Sequence, residues 1–557
     1  MKKTVSLMLL IATVTLIFVA CAGGNKKKDN NKDDNATDSA YTIDGFSIVR
    51  SEAASPDLIK LMSGFKKSIN SMTGVDMSVH IDVDKSASDY ELLIGNTDRP
   101  ESAAALEELR EKTDKKAFII KVFDKKIVIN GFSNDDLIVG VNHFINTVLS
   151  KAEIGKKTLP VSEGNTILKR TGDIVYKSKD LLTVIVAEEN SDAYIPARPD
   201  INESCSYGKI IKLEYQSKEK NNGILLATKE NGAYDSKADD LRYPILKSTD
   251  NGATWKEICR LDDYVNFGAT PGYQPCLFEL PEDIGKYKKG TVLFASCTRA
   301  PATTIAIQCS TSLGESWKGV CNVEEGGFYN NGSWSSEGVW EPVLKYEDGR
   351  LYCFYSDERD NGVGASHAGG HNQRLVYRYT TDLKTWSEKK EAVAIEEPNA
   401  RPGMVALTKM GNGKWALAYE GCSMGYSTCA VHVKFADTLD SWDAADKGTL
   451  IKDEAGCTMG SSPAIAWTPD GGECGTLFVT ASVSTDSLTR CNMFVSFDYG
   501  KTFTSFGNPI NLKNSEYGGY SAGMYVDMAG TLYYVNNPEN PNAKIQEKLE
   551  FMRLKVY

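Results

Sequence analysis

The sequence predicts a mainly β protein: a six-bladed β-propeller preceded by a small α+β domain. Three observations predict it. An eight-residue turn motif recurs along the C-terminal two thirds of the chain at a spacing near sixty residues. The texture of the chain changes near residue 170, from alternating helix-like and strand-like segments to short β-rich runs punctuated by Gly, Asp and Trp. The 557 residues also include 47 Gly, 8 Trp, 19 Phe and 26 Tyr, which suits a turn-rich β protein better than a helical bundle. A 41% hydrophobic fraction excludes wholesale disorder, and a net charge of −11 argues against a nucleic-acid partner, which would require a basic face.

Residues 1–20 read as an address. Lys2 and Lys3 precede an apolar run from Val5 to Ala20, the charged and hydrophobic regions of a signal peptide, too short and too early for a membrane span. The ending Phe18-Val19-Ala20-Cys21 resembles a bacterial lipobox. That resemblance implies lipidation at Cys21, export, and a membrane partner through an N-terminal lipid anchor; a plain secretory signal is the alternative. Residues 21–40 are a flexible tether: no large apolar side chain occurs from Gly23 to Ala40, so the stretch cannot build a core. The other 12 Cys all lie at Cys205 or later. No C-x-x-C pair occurs among them, which argues against a zinc knuckle, and many sit in strand-like runs as small hydrophobes. Cys422 and Cys429 are spaced to pair across a loop.

Residues 41–170 read as the α+β domain. Helix-like segments are Pro56–Met72, Ser102–Lys112 and Asp135–Leu149, the last with apolar residues at helical spacing. Strand-like segments are Glu91–Ile94, Ala117–Val122 and Lys126–Ile129, the last two joined by Phe123-Asp124-Lys125 as a hairpin. The run Tyr90–Ser102 (YELLIGNTDRPES) resembles the accessory domain that precedes catalytic domains in hexosaminidase and glucuronidase families. It implies carbohydrate-active company and no catalytic site of its own.

Residues 171–557 carry the repeat. Ser248-Thr249-Asp250-Asn251-Gly252-Ala253-Thr254-Trp255 recurs from Ser310, Thr380 and Ser496, with a worn copy from Ala436 to Trp442. A period near sixty suits one four-stranded blade with a generous loop, and the length then accommodates six. These repeats resemble the Asp box, S-x-D-x-G-x-T-W, of sialidase-type propellers. Their chemistry is structural: Ser and Asp bind turn N–H groups, Gly takes positive φ and the aromatic covers the turn.

Propeller sites form where loops converge over the central channel, so polar residues at strand ends outside the repeat are the candidates. Trp340-Glu341-Pro342, Phe354-Tyr355-Ser356-Asp357-Glu358-Arg359-Asp360 and Ala400-Arg401-Pro402-Gly403-Met404 follow in that order, then Tyr419-Glu420. Here the sequence is similar to glycoside hydrolase family 93, the exo-α-1,5-L-arabinanases. The resemblance implies an exo-glycosidase acting on an oligo- or polysaccharide, with catalytic carboxylates at Glu341 and Glu420; the lipobox-like leader adds anchoring at a surface. Each Glu also ends an apolar or aromatic strand run, an environment that raises one carboxyl's pKa while a neighbour stays ionised. Two carboxyls about 5–5.5 Å apart would perform a retaining double displacement. The lean is Glu420 as nucleophile and Glu341 as acid/base.

Asp357, Arg401, Tyr355, His371, Arg198 and Tyr520 are the candidate substrate contacts. A local ion pair is the alternative for Asp357 and Arg401, and blade packing for Tyr355. The motifs demand neither cofactor nor metal. Two rivals stay open. An exo-sialidase would draw three arginines from Arg198, Arg359, Arg374 and Arg401 around Tyr520 as nucleophile, though the F-R-I-P opening of sialidases is absent. A non-catalytic glycan-binding lipoprotein would lack a carboxylate pair facing the channel.

Overall fold

The computed structural model describes residues 41–84, 89–197, 203–230, 242–268, 273–298, 302–328, 338–360, 372–397, 399–426, 429–484, 493–512, 518–539 and 547–557. The signal, the tether and Cys21 lie outside these residues, as do Arg198 and His371.

The N-terminal region is a six-stranded sheet in the order Val79–Ile81, Ser47–Arg50, Glu91–Ile94, Lys126–Gly131, Ala117–Val122, Thr166–Arg170. Three helices pack on it: α1 (Pro56–Thr73), α2 (Pro100–Lys112) and α3 (Asn134–Thr147). Local sequence sets their ends. Ser55 caps α1 through the Leu58 N–H, Pro56 occupies the first turn, and Gly74 closes it at φ +76°. Ser133 and Asp136 form a capping box at α3. The Lys126–Gly131 and Ala117–Val122 strands pair antiparallel about the short turn read from the sequence.

Tyr41–Thr42 and Thr158–Leu159 pair as a separate two-stranded sheet, and the strands from Asp173 onward form six sheets around one channel. Four blades have four strands each, with innermost strands Lys209–Lys212, Tyr273–Glu279, Val339–Glu347 and Ala464–Thr468; the first three use consecutive strands, and the fourth lends Val483–Ser484 to the edge of the blade before it. The blade opening at Arg401–Lys409 adds two short strands at its edge. The last blade closes the ring with chain from both ends: Gly523–Val526, Leu532–Asn536 and Leu549–Val556 pair onward to Val184–Tyr194 and Asp173–Lys177. Eight residue pairs join Leu549–Val556 to Val184–Tyr194, so the ring is shut by a full-length antiparallel ladder. This closure was not read from the sequence. The C-terminal Tyr557 continues past it into the core that α1 and α3 share with Val184 and Val186, and its ring meets His143. Asn142 donates to the Leu181 carbonyl at 2.9 Å across the same seam.

The recurrent motif occupies the turn between the third and fourth strands of its blade. In the first copy Gly252 N–H donates to Ser248 Oγ (2.9 Å), Thr254 N–H to Asp250 Oδ1 (3.0 Å), and Trp255 Nε1–H to the Gly252 carbonyl (3.1 Å). The copy at Ser496 repeats the first two bonds, and that at Ser310 repeats the glycine and tryptophan ones. Because the strands alternate in direction, these turns lie at the opposite end of the blade from the start of the innermost strand. Asp250→Ala should therefore cost ~1 kcal/mol of stability, seen as a lowered Tm, and leave activity intact; lost activity with an unchanged Tm would contradict this.

Candidate active site

One residue at the start of each innermost strand has left-handed backbone: Tyr207 (φ 53°), Gln274 (56°), Glu341 (64°), Met404 (52°), Ser462 (45°) and Ser521 (57°). None is glycine, so each costs on the order of 1–3 kcal/mol and persists only because the blade imposes it. In three blades the residue sits at a register shift of the inner pair, between Tyr273 and Cys276, Trp340 and Val343, and Gly403 and Ala406. The six form a ring at the mouth of the channel. Below them a cavity of about 350 Å³ runs between the inner strands of all six blades.

The left-handed turn aims each N–H at a neighbouring group. Glu341 N–H donates to Gln274 Oε1 (3.0 Å), Met404 N–H to Glu341 Oε2 (2.8 Å), and Ser462 N–H to Glu420 Oε2 (2.8 Å). Ser521 N–H reaches Ser462 Oγ (3.1 Å), and Gln274 N–H reaches Glu230 Oε2 (3.2 Å). Glu341 and Glu420 thus flank one dipeptide: Met404 binds the first, and a Cβ on Gly403 would lie 3.4 Å from Glu420 Oε1. That Cβ would also lie 2.5 Å from Gln373 Nε2, so a side chain at 403 would collide with the site.

The two carboxyls have different surroundings. Burial, and next the charge of Glu420, push Glu341 up to about 7, against the hydrogen bonds from Ser356 Oγ (2.7 Å) and Met404 N–H. Burial also raises Glu420, opposed by the Ser462 N–H, the Ser461 side chain and the positive charge of Arg401. A carboxyl titrating near neutrality beside one with a cationic neighbour is the arrangement that acid/base and nucleophile roles require.

Tyr520 and Arg401 join the pair. Tyr520 packs edge-on against Tyr207 at 5.5 Å, and its hydroxyl meets Met404 Sδ at 3.5 Å. Burial and the charges of Glu420 and Glu341 raise its pKa. Arg401 donates to Gln373 Oε1 (2.9 Å) and pairs with Glu358, which also accepts from Trp340 Nε1 (3.0 Å). Tyr355 and Asp357 are not brought to the pair. Strand alternation explains this: Ser356 faces Glu341, so residues 355 and 357 face the preceding blade. There Tyr355, fully buried, donates to Glu324 Oε2 (2.9 Å). Asp357 is locked by Arg359 (2.7 Å) and Lys389 (2.8 Å), which hold its carboxyl down at about 2.

Tyr207, Gln274, Ser356, Ser462 and Glu230 escaped the sequence reading. The available signal was a second period: the ring residues are 58–67 residues apart, in step with the turn motif. Cys422 and Cys429 do form a disulfide, on the loop that leaves Glu420. Both sulfurs lie within 4.8 Å of the Glu420 carboxylate, but joined to each other they are not thiolate ligands for a metal.

No protein-family model matches the chain, and no curated protein does. Solved structures do. The GH93 α-L-arabinofuranosidase of Fusarium graminearum, in complex with arabinobiose, is 28% identical with a TM-score of 0.54, over 66% of this chain and 97% of that one. The α-L-arabinanase of Penicillium chrysogenum, also with arabinobiose, is 29% identical with a TM-score of 0.54, over 66% and 98%. These neighbours are glycoside hydrolases, and the similarity supports glycosidase activity in this chain.

Proposed function

We propose that the protein is a retaining exo-glycosidase that removes arabinose units from the ends of α-L-arabinan-type chains. The observation that carries the reading is the Glu341–Glu420 pair, held by ring N–H groups on either side of Gly403–Met404 in unequal electrostatic surroundings. In this mechanism Glu341 enters protonated and gives its proton to the departing glycosidic oxygen. Glu420 attacks the anomeric carbon and forms a glycosyl–enzyme ester. Glu341, now ionised, takes a proton from the incoming water, and hydrolysis of the ester regenerates both groups.

A neutral sugar fits better than an acidic one. Three of the arginines that a sialidase would need already face carboxylates: Arg359 with Asp357 and Glu324, Arg374 with Glu391 and Glu396, Arg401 with Glu358. Three such guanidiniums leave little unmatched positive charge for a sugar carboxylate. The leader and tether support attachment to a membrane surface through Cys21, and Cys21→Ser is expected to release the protein from the membrane fraction.

The deciding experiment offers arabinan oligomers and sialosides to the purified protein and follows the released sugar by NMR. Arabinan-derived product appearing first with the substrate's anomeric configuration is expected. Release from sialosides alone, or a first product of inverted configuration, would overturn the reading.

A further inference from the structure

We propose that Glu230 is a third carboxyl of this active site: its Oε2 positions Gln274, and through it Glu341, while its Oε1–H donates to a substrate hydroxyl. The inference rests on the glycosidase reading and adds a residue that neither the family resemblance nor the sequence motifs single out.

The geometry is a repetition. Three carboxyls at the mouth each accept the N–H of a left-handed ring residue: Glu420 from Ser462, Glu341 from Met404, and Glu230 from Gln274. Glu230 directly follows Thr228-Lys229 at the end of the second strand of its blade, the position that Glu420 occupies in its own. Six blades put these two second strands on opposite sides of the channel. A relay joins Glu230 to the pair: Gln274 N–H donates to Glu230, and Glu341 N–H donates to the Gln274 side chain. A shift of Glu230 therefore displaces the backbone that carries Glu341.

The carboxyl is also chemically unusual. It is 7% exposed, and among the described residues Oε1 has no hydrogen-bonding protein partner. Lys229, next in the chain, offsets the burial only in part, because its ammonium is bound by Glu203 Oε1 (2.7 Å) and the Ser204 carbonyl (2.8 Å). The charged and titratable groups facing Glu230 from other elements are Lys209, Glu341, Tyr207, Tyr520 and Cys297. Burial dominates and pushes Glu230 up to about 8, so it is a neutral acid at pH 7 and its O–H can donate to a sugar hydroxyl. A buried neutral carboxylic acid is a strong donor in a dry site, whereas its ionised form would add a third negative charge to the mouth.

The test is the pH dependence of kcat/KM for wild type, Glu230→Gln and Glu230→Ala on the glycoside that the wild type cleaves. Glu341 and Glu230 both act protonated, so wild-type kcat/KM falls as pH rises through their two values. Its logarithm should approach a slope of about −2 above pH 8. Glu230→Gln keeps an acceptor for Gln274 but cannot ionise. It should lose roughly threefold to tenfold at pH 6 and decline with a slope of about −1. Glu230→Ala leaves the Gln274 N–H unpaired and should lose roughly tenfold to a hundredfold at pH 6. Lys209 titrates at about 8 and remains in both variants. A limb that stays steep in Glu230→Gln would assign the second ionisation to Lys209 and overturn the proposal, as would an unchanged Glu230→Ala at pH 6. Calorimetric titration with arabinobiose separates this inference from the reading beneath it. Sugar that binds and weakens about tenfold in Glu230→Ala supports the inference even if no glycoside is cleaved, and equal binding overturns it.

Discussion

Replacing either carboxylate of the pair with its amide is expected to remove most of the activity, with a different pattern for each. Glu420→Gln removes the attacking oxygen, and kcat should fall on the order of ten-thousandfold or more whatever the leaving group. Glu341→Gln removes the proton donor, and the loss should be about a hundredfold to ten-thousandfold on a sugar leaving group. On an aryl glycoside whose phenolate departs unaided, most of the Glu341→Gln loss should vanish at the first step. The basis of this asymmetry is the unequal surroundings: burial and Glu420 raise Glu341 to about 7, while Arg401 and two serines oppose the rise at Glu420. Measuring kcat on both substrate types for both variants decides it. Full activity in both variants would remove the mechanism; the reversed leaving-group pattern would exchange the roles.

The fold was legible because its signals are periodic and local. The turn motif encodes its own hydrogen bonds in residue type, so Ser248, Asp250, Gly252 and Trp255 announce a hairpin before any tertiary structure is known. The helix caps at Ser55 and Ser133 are legible in the same way. Closure of the ring was hidden, because it pairs strands more than 350 residues apart, and a strand's sequence does not name its partner.

At the site, the motif resemblance pointed to Glu341 and Glu420, with their place at the end of apolar runs as support. The reading that added Tyr355 and Asp357 erred by one residue of strand alternation: Ser356 and Glu358 face the site, and their neighbours face away. The ring was the deeper omission. Left-handed φ normally announces itself through Gly or Asn, but here Tyr, Gln, Glu, Met and Ser adopt it under tertiary constraint. Glu230 was overlooked for a related reason. Its strand, Leu225–Thr228, ends two residues earlier, so nothing local sets it apart from any other loop carboxylate.

The same burial that prepares Glu341 for proton transfer should make the protein less stable as pH rises, and Glu341→Gln should reverse this. An unfolded Glu titrates near the ordinary value of 4.5; in the folded protein Glu341 titrates at about 7. Between those values the folded state binds more protons than the unfolded one, so raising the pH favours unfolding. The burial is harmless below pH 4.5, its cost grows through the window, and it is complete above pH 7. A shift of this size corresponds to about 3 kcal/mol. The amide has no charge to desolvate, and its carbonyl still accepts from Met404 N–H. Glu341→Gln should therefore match the wild-type Tm within about a degree at pH 4.5 and exceed it by a few degrees at pH 8, while activity collapses. Paired thermal melts across that range provide the check. A Tm difference that is the same at both pH values would mean that folding leaves the pKa of Glu341 unshifted, and the acid role would pass to another group. A gain confined to high pH would show that the catalytic acid is maintained at the expense of stability.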